Sequence, residues 1–155
     1  MAQGDRLQRN KIHQNFWRRP LGTNLLVMED NLKYTLTVAE VATHYSLSAR
    51  TIRNHLNGGT LEGVRLSGSW RCCWHDVWAA EQGPAPRGTR SNLYKTPLNS
   101  KKALALNWQV SERTIERWIA DGLPTRNVFG SVRIAPADAT EWMKQAFNIR
   151  KEVNR

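Results

Sequence analysis

Four polar side chains, Arg50, Arg53, Asn54 and Asn57, fall on one side of a short helical pattern whose inward positions, Ile52 and Leu56, lie four apart. A guanidinium can pair bidentately with guanine and a carboxamide with adenine, so this set carries the donors and acceptors needed to read base edges in a major groove. In a second pattern 63 residues further on, Glu112, Arg113, Glu116 and Arg117 hold the matching outward places around Ile115 and Ile119. There the glutamates either accept from cytosine amino groups or tune the local field, and the two helices would prefer different sequences. Ser48 with Thr51, and Ser111 with Thr114, put hydroxyls at the helix starts, where phosphate or base contact is geometrically natural. Arg65, Ser69 and Arg71 surround one glycine turn, and Arg126, Ser131 and Arg133 another. A guanidinium in such a place either reaches a narrow minor groove or a phosphate, or guards a hairpin edge against aggregation. Lys101 and Lys102 open a helix, where cations oppose the helix dipole, and a nearby phosphate would remove the conflict.

Other chemistry is poorly served. Cys72, Cys73 and His75 lie together, and His44 or His55 would be needed to complete a zinc site, but vicinal cysteines lack the C-x-x-C spacing that suits a tetrahedral centre. No metal is expected. The chain holds no nucleophile–base–orienter set, no glycine-rich phosphate loop and no local carboxylate cluster, so neither catalysis nor a cofactor is expected. Trp108 and Trp118 fit core packing better than base stacking.

Charge points the same way. Lys and Arg number 23 against 13 acids, a net charge of +10, which favours a polyanionic partner because each phosphate neutralised releases a counterion. No apolar run approaches the roughly 18 residues of a membrane span, and the first thirty are unlike a signal peptide. The expectation is a cytoplasmic, nucleoid-associated protein with no membrane partner. Two adjacent cysteines cannot build a disulfide framework, and seven tryptophans suggest small cores filled by large rings.

These residues sit on a repeated unit. A shift of 63 lays Leu47–Ile52 over Val110–Ile115, and a shift of 62 lays Gly68, Arg71 and Asp76 over Gly130, Arg133 and Asp138. Thr37 and Glu40 form a capping box for a first helix ending near Tyr45; Ser48 caps a second, stopped by Gly58 or Gly59. Ser100 or Asn99, then Ser111, do the same in the second copy, which Gly122 and Pro124 end. Two hairpins are predicted, one turning at Ser67-Gly68 and one at Gly130-Ser131, each followed by a helix starting near His75 to Asp76 or Pro136 to Asp138. The expected fold is mainly α with small β-hairpins: tandem winged helix-turn-helix domains at 34–82 and 98–147, an internal pseudo-dimer. A basic arm (1–33) carrying Arg6, Arg9, Lys11, Arg18 and Arg19, a Pro- and Gly-rich linker (83–97) loose enough for several spacings, and a basic tail (148–155) complete it.

The elements Thr37, Glu40, Ala42, Ser48, Arg50, Thr51, Ile52, Gly59, Gly68, Arg71 and Asp76 resemble the excisionase and MerR-like winged helix-turn-helix family. Ser100, Ala103, Ser111, Arg113, Thr114, Ile115, Gly122, Gly130, Arg133 and Asp138 repeat the pattern, with departures at Lys102 and Ala105. The resemblance implies a double-stranded-DNA-binding protein of a phage or bacterial mobile element. Its role would be that of a recombination accessory factor beside an integrase, or of a transcriptional regulator. A nucleoprotein-assembly protein, of the conjugative-transfer, plasmid replication or partition, or terminase small-subunit type, is the alternative. A role in binding RNA or protein instead finds its best support in Glu112 and Glu116. The chain would act as a monomer or associate weakly on DNA.

Overall fold

The capping box at Thr37 is where the first helix begins. In the computed structural model, which describes residues 33–148, the Glu40 amide donates to Thr37 Oγ1 at 3.2 Å and the Thr37 amide to Glu40 Oε2 at 2.8 Å. The Thr37 amide and the Thr37 hydroxyl, both donating to Glu40 Oε2 at 2.8 Å, hold the exposed Glu40 carboxyl below its ordinary range, with the nearby Arg71 cation adding to the effect. Strand β1 (Leu36–Thr37) leads into helix α1 (Val38–Tyr45), which closes on Ser46 in the left-handed conformation (φ 54°). Ser48 then caps α2 (Ala49–Gly58) by accepting from the Thr51 amide at 3.1 Å, and Gly59 ends it at φ 77°. Replacing Ser48 by alanine should cost about 1 kcal/mol, read as a lower denaturant midpoint, because a helix-start N–H loses its acceptor; an unchanged midpoint would show that water serves as well.

β2 (Val64–Leu66) and β3 (Ser69–Cys72) form an antiparallel hairpin in which Leu66 faces Ser69 across a two-residue turn, and β1 adds to the other edge of β3. Ser67 and Gly68 both have positive φ, as the type I′ turn that suits strand twist requires. α3 (Trp74–Ala80) follows.

The second half repeats this order. α4 (Lys101–Asn107) starts at Ser100, which accepts from the Ala103 amide at 3.1 Å, and α5 (Glu112–Ala120) starts at Ser111, which accepts from Thr114 at 3.2 Å. β4 (Arg126–Val128), β5 (Ser131–Arg133) and α6 (Pro136–Ala146) complete it. Left-handed residues recur at equivalent places: Ser46 and Gln109, Gly59 and Gly122, Ser67 and Phe129, Gly68 and Gly130. The pairing of Leu36 with Cys72 in the first half has its counterpart in a bridge between Asn99 and Ile134. The result is mainly helical, with two small antiparallel sheets.

Two expectations are corrected. The second turn falls at Phe129-Gly130, one residue before the predicted place, because Val128 faces Ser131 in the register. The segment 83–97 is not a loose tether: Gly88–Lys95 forms a 3₁₀ helix, Trp78 Nε1 donates to Tyr94 O at 3.3 Å, and Tyr94 donates to Asp138 Oδ1 at 2.7 Å. Accordingly the described residues from Thr35 on belong to one compact unit. Its larger core joins Val41, Tyr45, Ile52, Leu56 and Val77 to Leu98, Val128 and Ala135 of the second half; Leu104, Ile115, Trp118, Leu123, Ile134 and Ala139 form a second cluster. Trp118 thus packs as expected, in ring contact with Trp108 and Trp142.

The halves are also joined through charge. Glu81, with no exposed surface, receives His44 Nε2 at 2.7 Å and Arg126 Nη1 at 3.0 Å. Arg126 Nη2 lies 3.6 Å from Asp138 Oδ2, and its guanidinium sits 5.1 Å from the Tyr94 ring centre. A charge this deep persists only when paired, so the network is a structural joint between the halves.

Candidate nucleic-acid interface

On α2, Ile52 and Leu56 turn into the core, so Arg50, Arg53, Asn54 and Asn57 stand exposed on the other side. The first hairpin folds back beside this helix. Between the two runs an open groove of about 480 Å³, lined by Thr37, Val38 and Ala39 at the start of α1, by Arg53 and Asn57, and by Arg65, Ser69, Trp70 and Arg71. Three guanidiniums from three elements, α2, β2 and β3, therefore face one cleft, next to helix-start amides. No acid lines it. Such a place suits an extended anion, since charged donors and oriented N–H groups both favour negative charge.

Trp70 organises the groove, and the sequence reading did not single it out. Its Nε1 donates to Asn57 Oδ1 at 3.3 Å, and the Arg65 guanidinium lies 4.8 Å from its ring centre. An indole nitrogen can only donate, so Asn57 must offer it the carboxamide oxygen and turns its NH₂ elsewhere. Arg71 Nη1 donates to Trp70 O at 3.0 Å.

The second half presents a different surface. Glu112, Arg113, Glu116 and Arg117 are exposed on α5, but Glu116 Oε1 takes Lys101 Nζ at 3.1 Å. The cation at the start of α4 is thus answered by a carboxylate of its own chain rather than by the expected phosphate; Lys102 stays exposed. Ser48 and Thr51 share a hydrogen bond of 2.8 Å, and Ser111 and Thr114 one of 2.9 Å, alike in both halves. Ser131 is half-buried beside its turn.

Two hairpin residues require correction. Arg126 is 3% exposed, held by Glu81, and does not belong to any surface. Arg133 is half-buried and engaged within the chain, its Nε donating to Tyr45 O at 2.7 Å and its Nη2 to Ser46 O at 3.1 Å. The arm residues Arg6, Arg9, Lys11, Arg18 and Arg19, like 149–155, lie outside the described residues.

Cys72 and Cys73 are both buried free thiols. Burial pushes the Cys72 thiol up to about 11, so it stays protonated at neutral pH. Among the described residues no group of three His, Cys, Asp or Glu is placed to hold a metal ion, and no helix is long and apolar enough to cross a membrane. No family model, no curated protein and no solved structure matches the chain.

Proposed function

We propose that the chain is a sequence-specific double-stranded-DNA-binding protein, without enzymatic activity, built from two winged helix-turn-helix repeats of the excisionase and MerR-like type. The observation that carries this reading is the groove of the first repeat, where Arg53, Arg65 and Arg71 converge with Asn57 and the start of α1. In this reading α2 enters the major groove with Arg50 and Asn54 at base edges, while the hairpin and the start of α1 hold the flanking phosphates. The net charge of +10 supports the same partner. A role as recombination accessory factor or transcriptional regulator of a phage or mobile element fits the family resemblance. The protein would then work in the cytoplasm on the nucleoid.

Salt dependence tests the reading. With several cations on phosphates, log affinity for duplex DNA should fall steeply and linearly with log salt, by about 0.9 for each phosphate contact; an affinity that barely moves between low and moderate salt would count against it. Duplex RNA as competitor separates the DNA reading from an RNA one.

A nucleoprotein-assembly role is favoured by one observation, an open apolar groove of about 610 Å³ lined by Trp108, Val110, Trp118, Met143 and Phe147. Phe147 is 52% exposed there. Light scattering with and without DNA distinguishes a monomeric regulator from an assembling protein.

A further inference from the structure

We propose that the hairpin of the second repeat is not a DNA-contacting wing but a clamp that fixes the reading helix of the first repeat, with Phe129 and Arg133 as positioning residues. The proposal rests on the DNA-binding reading above.

Phe129 occupies the first turn position of its hairpin at φ 50°. A bulky aromatic residue is rare in that conformation, and such strain persists only where surrounding structure over-determines it. The surroundings are α1 and α2 of the first repeat. The Phe129 ring stacks on His55 of α2 with centroids 3.7 Å apart and planes 11° from parallel, and meets Tyr45 edge-on at 5.7 Å. His55 is itself tied on its other side, its Nδ1 lying 2.7 Å from Thr60 Oγ1.

Arg133 acts on the turn that joins the same pair of helices. It donates to the carbonyls of Tyr45 and Ser46, the last residue of α1 and the left-handed residue that begins the turn into α2. Carbonyls at a helix end lack intrahelical partners and carry the negative end of the dipole, so a guanidinium there satisfies both needs at once. A third bond, from Nη1 to Val132 O at 2.9 Å, ties the guanidinium to its own strand. The first hairpin shares that last bond, Arg71 Nη1 donating to Trp70 O, but differs in the rest: Ser67 is exposed, and Arg71 lines the groove instead of reaching the carbonyls of another element. One hairpin therefore remains open to a ligand while its duplicate grips the α1–α2 turn and the far part of α2. A reader held at both ends keeps its side chains in register with a base edge, where displacements of about half an ångström matter.

The test uses the full chain with Arg133→Met, Phe129→Ala and Phe129→Tyr, thermal unfolding serving as the control for foldedness. In the DNA-free protein, hydrogen exchange at amides 47–56 should quicken in Arg133→Met and Phe129→Ala and stay near wild type in Phe129→Tyr, which keeps the ring. Exchange unchanged in the first two variants would overturn the clamp, whether or not the chain binds DNA. Against a duplex selected by the wild type, both disrupting variants should bind roughly tenfold more weakly with the salt slope intact, because no phosphate contact has been lost. A slope smaller by about 0.9 in Arg133→Met would place that guanidinium on a phosphate and overturn the proposal. Failure of the wild type to bind any duplex would instead sink the DNA-binding reading, leaving the exchange result to decide the clamp.

Discussion

Glu81→Ala is expected to lower the stability of the described unit by about 3–5 kcal/mol, the range for breaking a buried ion pair from one side. The carboxylate has no exposed surface and satisfies two partners from different parts of the chain, His44 on α1 and Arg126 on β4. Without it, Arg126 remains 3% exposed with only the more distant Asp138 oxygen, at 3.6 Å, as counter-charge. Its Nε already lacks a hydrogen-bond partner, so the network has no slack. Against a total of about 5–15 kcal/mol for a domain, the loss is a large fraction. Urea unfolding reads it directly, and a change below about 1 kcal/mol would show that solvent reaches the site. A Glu81→Met, Arg126→Met double variant should recover much of the stability, since apolar replacement of a buried pair is often neutral or better.

Substituting Arg53, Arg65 and Arg71 together by alanine should nearly abolish duplex binding while leaving the fold in place. If each guanidinium holds a phosphate, the salt slope shrinks by about 0.9 per residue. Affinity should fall roughly a thousandfold at moderate salt, with about 1.5 kcal/mol for each charged hydrogen bond lost. Arg53 and Arg65 are exposed and Arg71 is half-buried, so stability should change by no more than about 1 kcal/mol, mostly from the Arg65–Trp70 contact. A triple variant that binds as the wild type does would remove the groove from the account. Arg113→Ala and Arg117→Ala, on the charge-balanced helix of the second repeat, should have smaller effects in the same assay.

What was legible in the sequence is what neighbouring residues decide among themselves. Thr37, Ser48, Ser100 and Ser111 each cap the helix expected of them, because a hydroxyl three residues from an amide needs nothing beyond local geometry. The outward set on α2 followed from Ile52 and Leu56 in the same way. Arg126 and Arg133 were misplaced because their partners lie 45 to 88 residues away, at Glu81, Tyr45 and Ser46, beyond any local period. The rigidity of 83–97 was hidden likewise, since it depends on Tyr94 reaching Asp138, 44 residues on. The turn at Phe129 was within reach. The shift of 62 that pairs Gly68 with Gly130 also pairs Ser67 with Phe129, and so places the turn at Phe129-Gly130 although an aromatic residue seldom adopts positive φ.

In the proposed reading the two halves play unequal parts. The first keeps a groove with no acid among its described lining residues; the second engages its hairpin arginines within the chain, Arg126 on Glu81 and Arg133 on the Tyr45 carbonyl, and neutralises Lys101 with Glu116. The most direct test is amide chemical-shift mapping of the full chain as a selected DNA duplex is added. The largest shifts are expected at Thr37–Ala39, Arg50–Asn57 and Arg65–Arg71. Shifts confined to α5 and to the apolar groove around Trp118 and Phe147, with the first repeat unmoved, would contradict that reading.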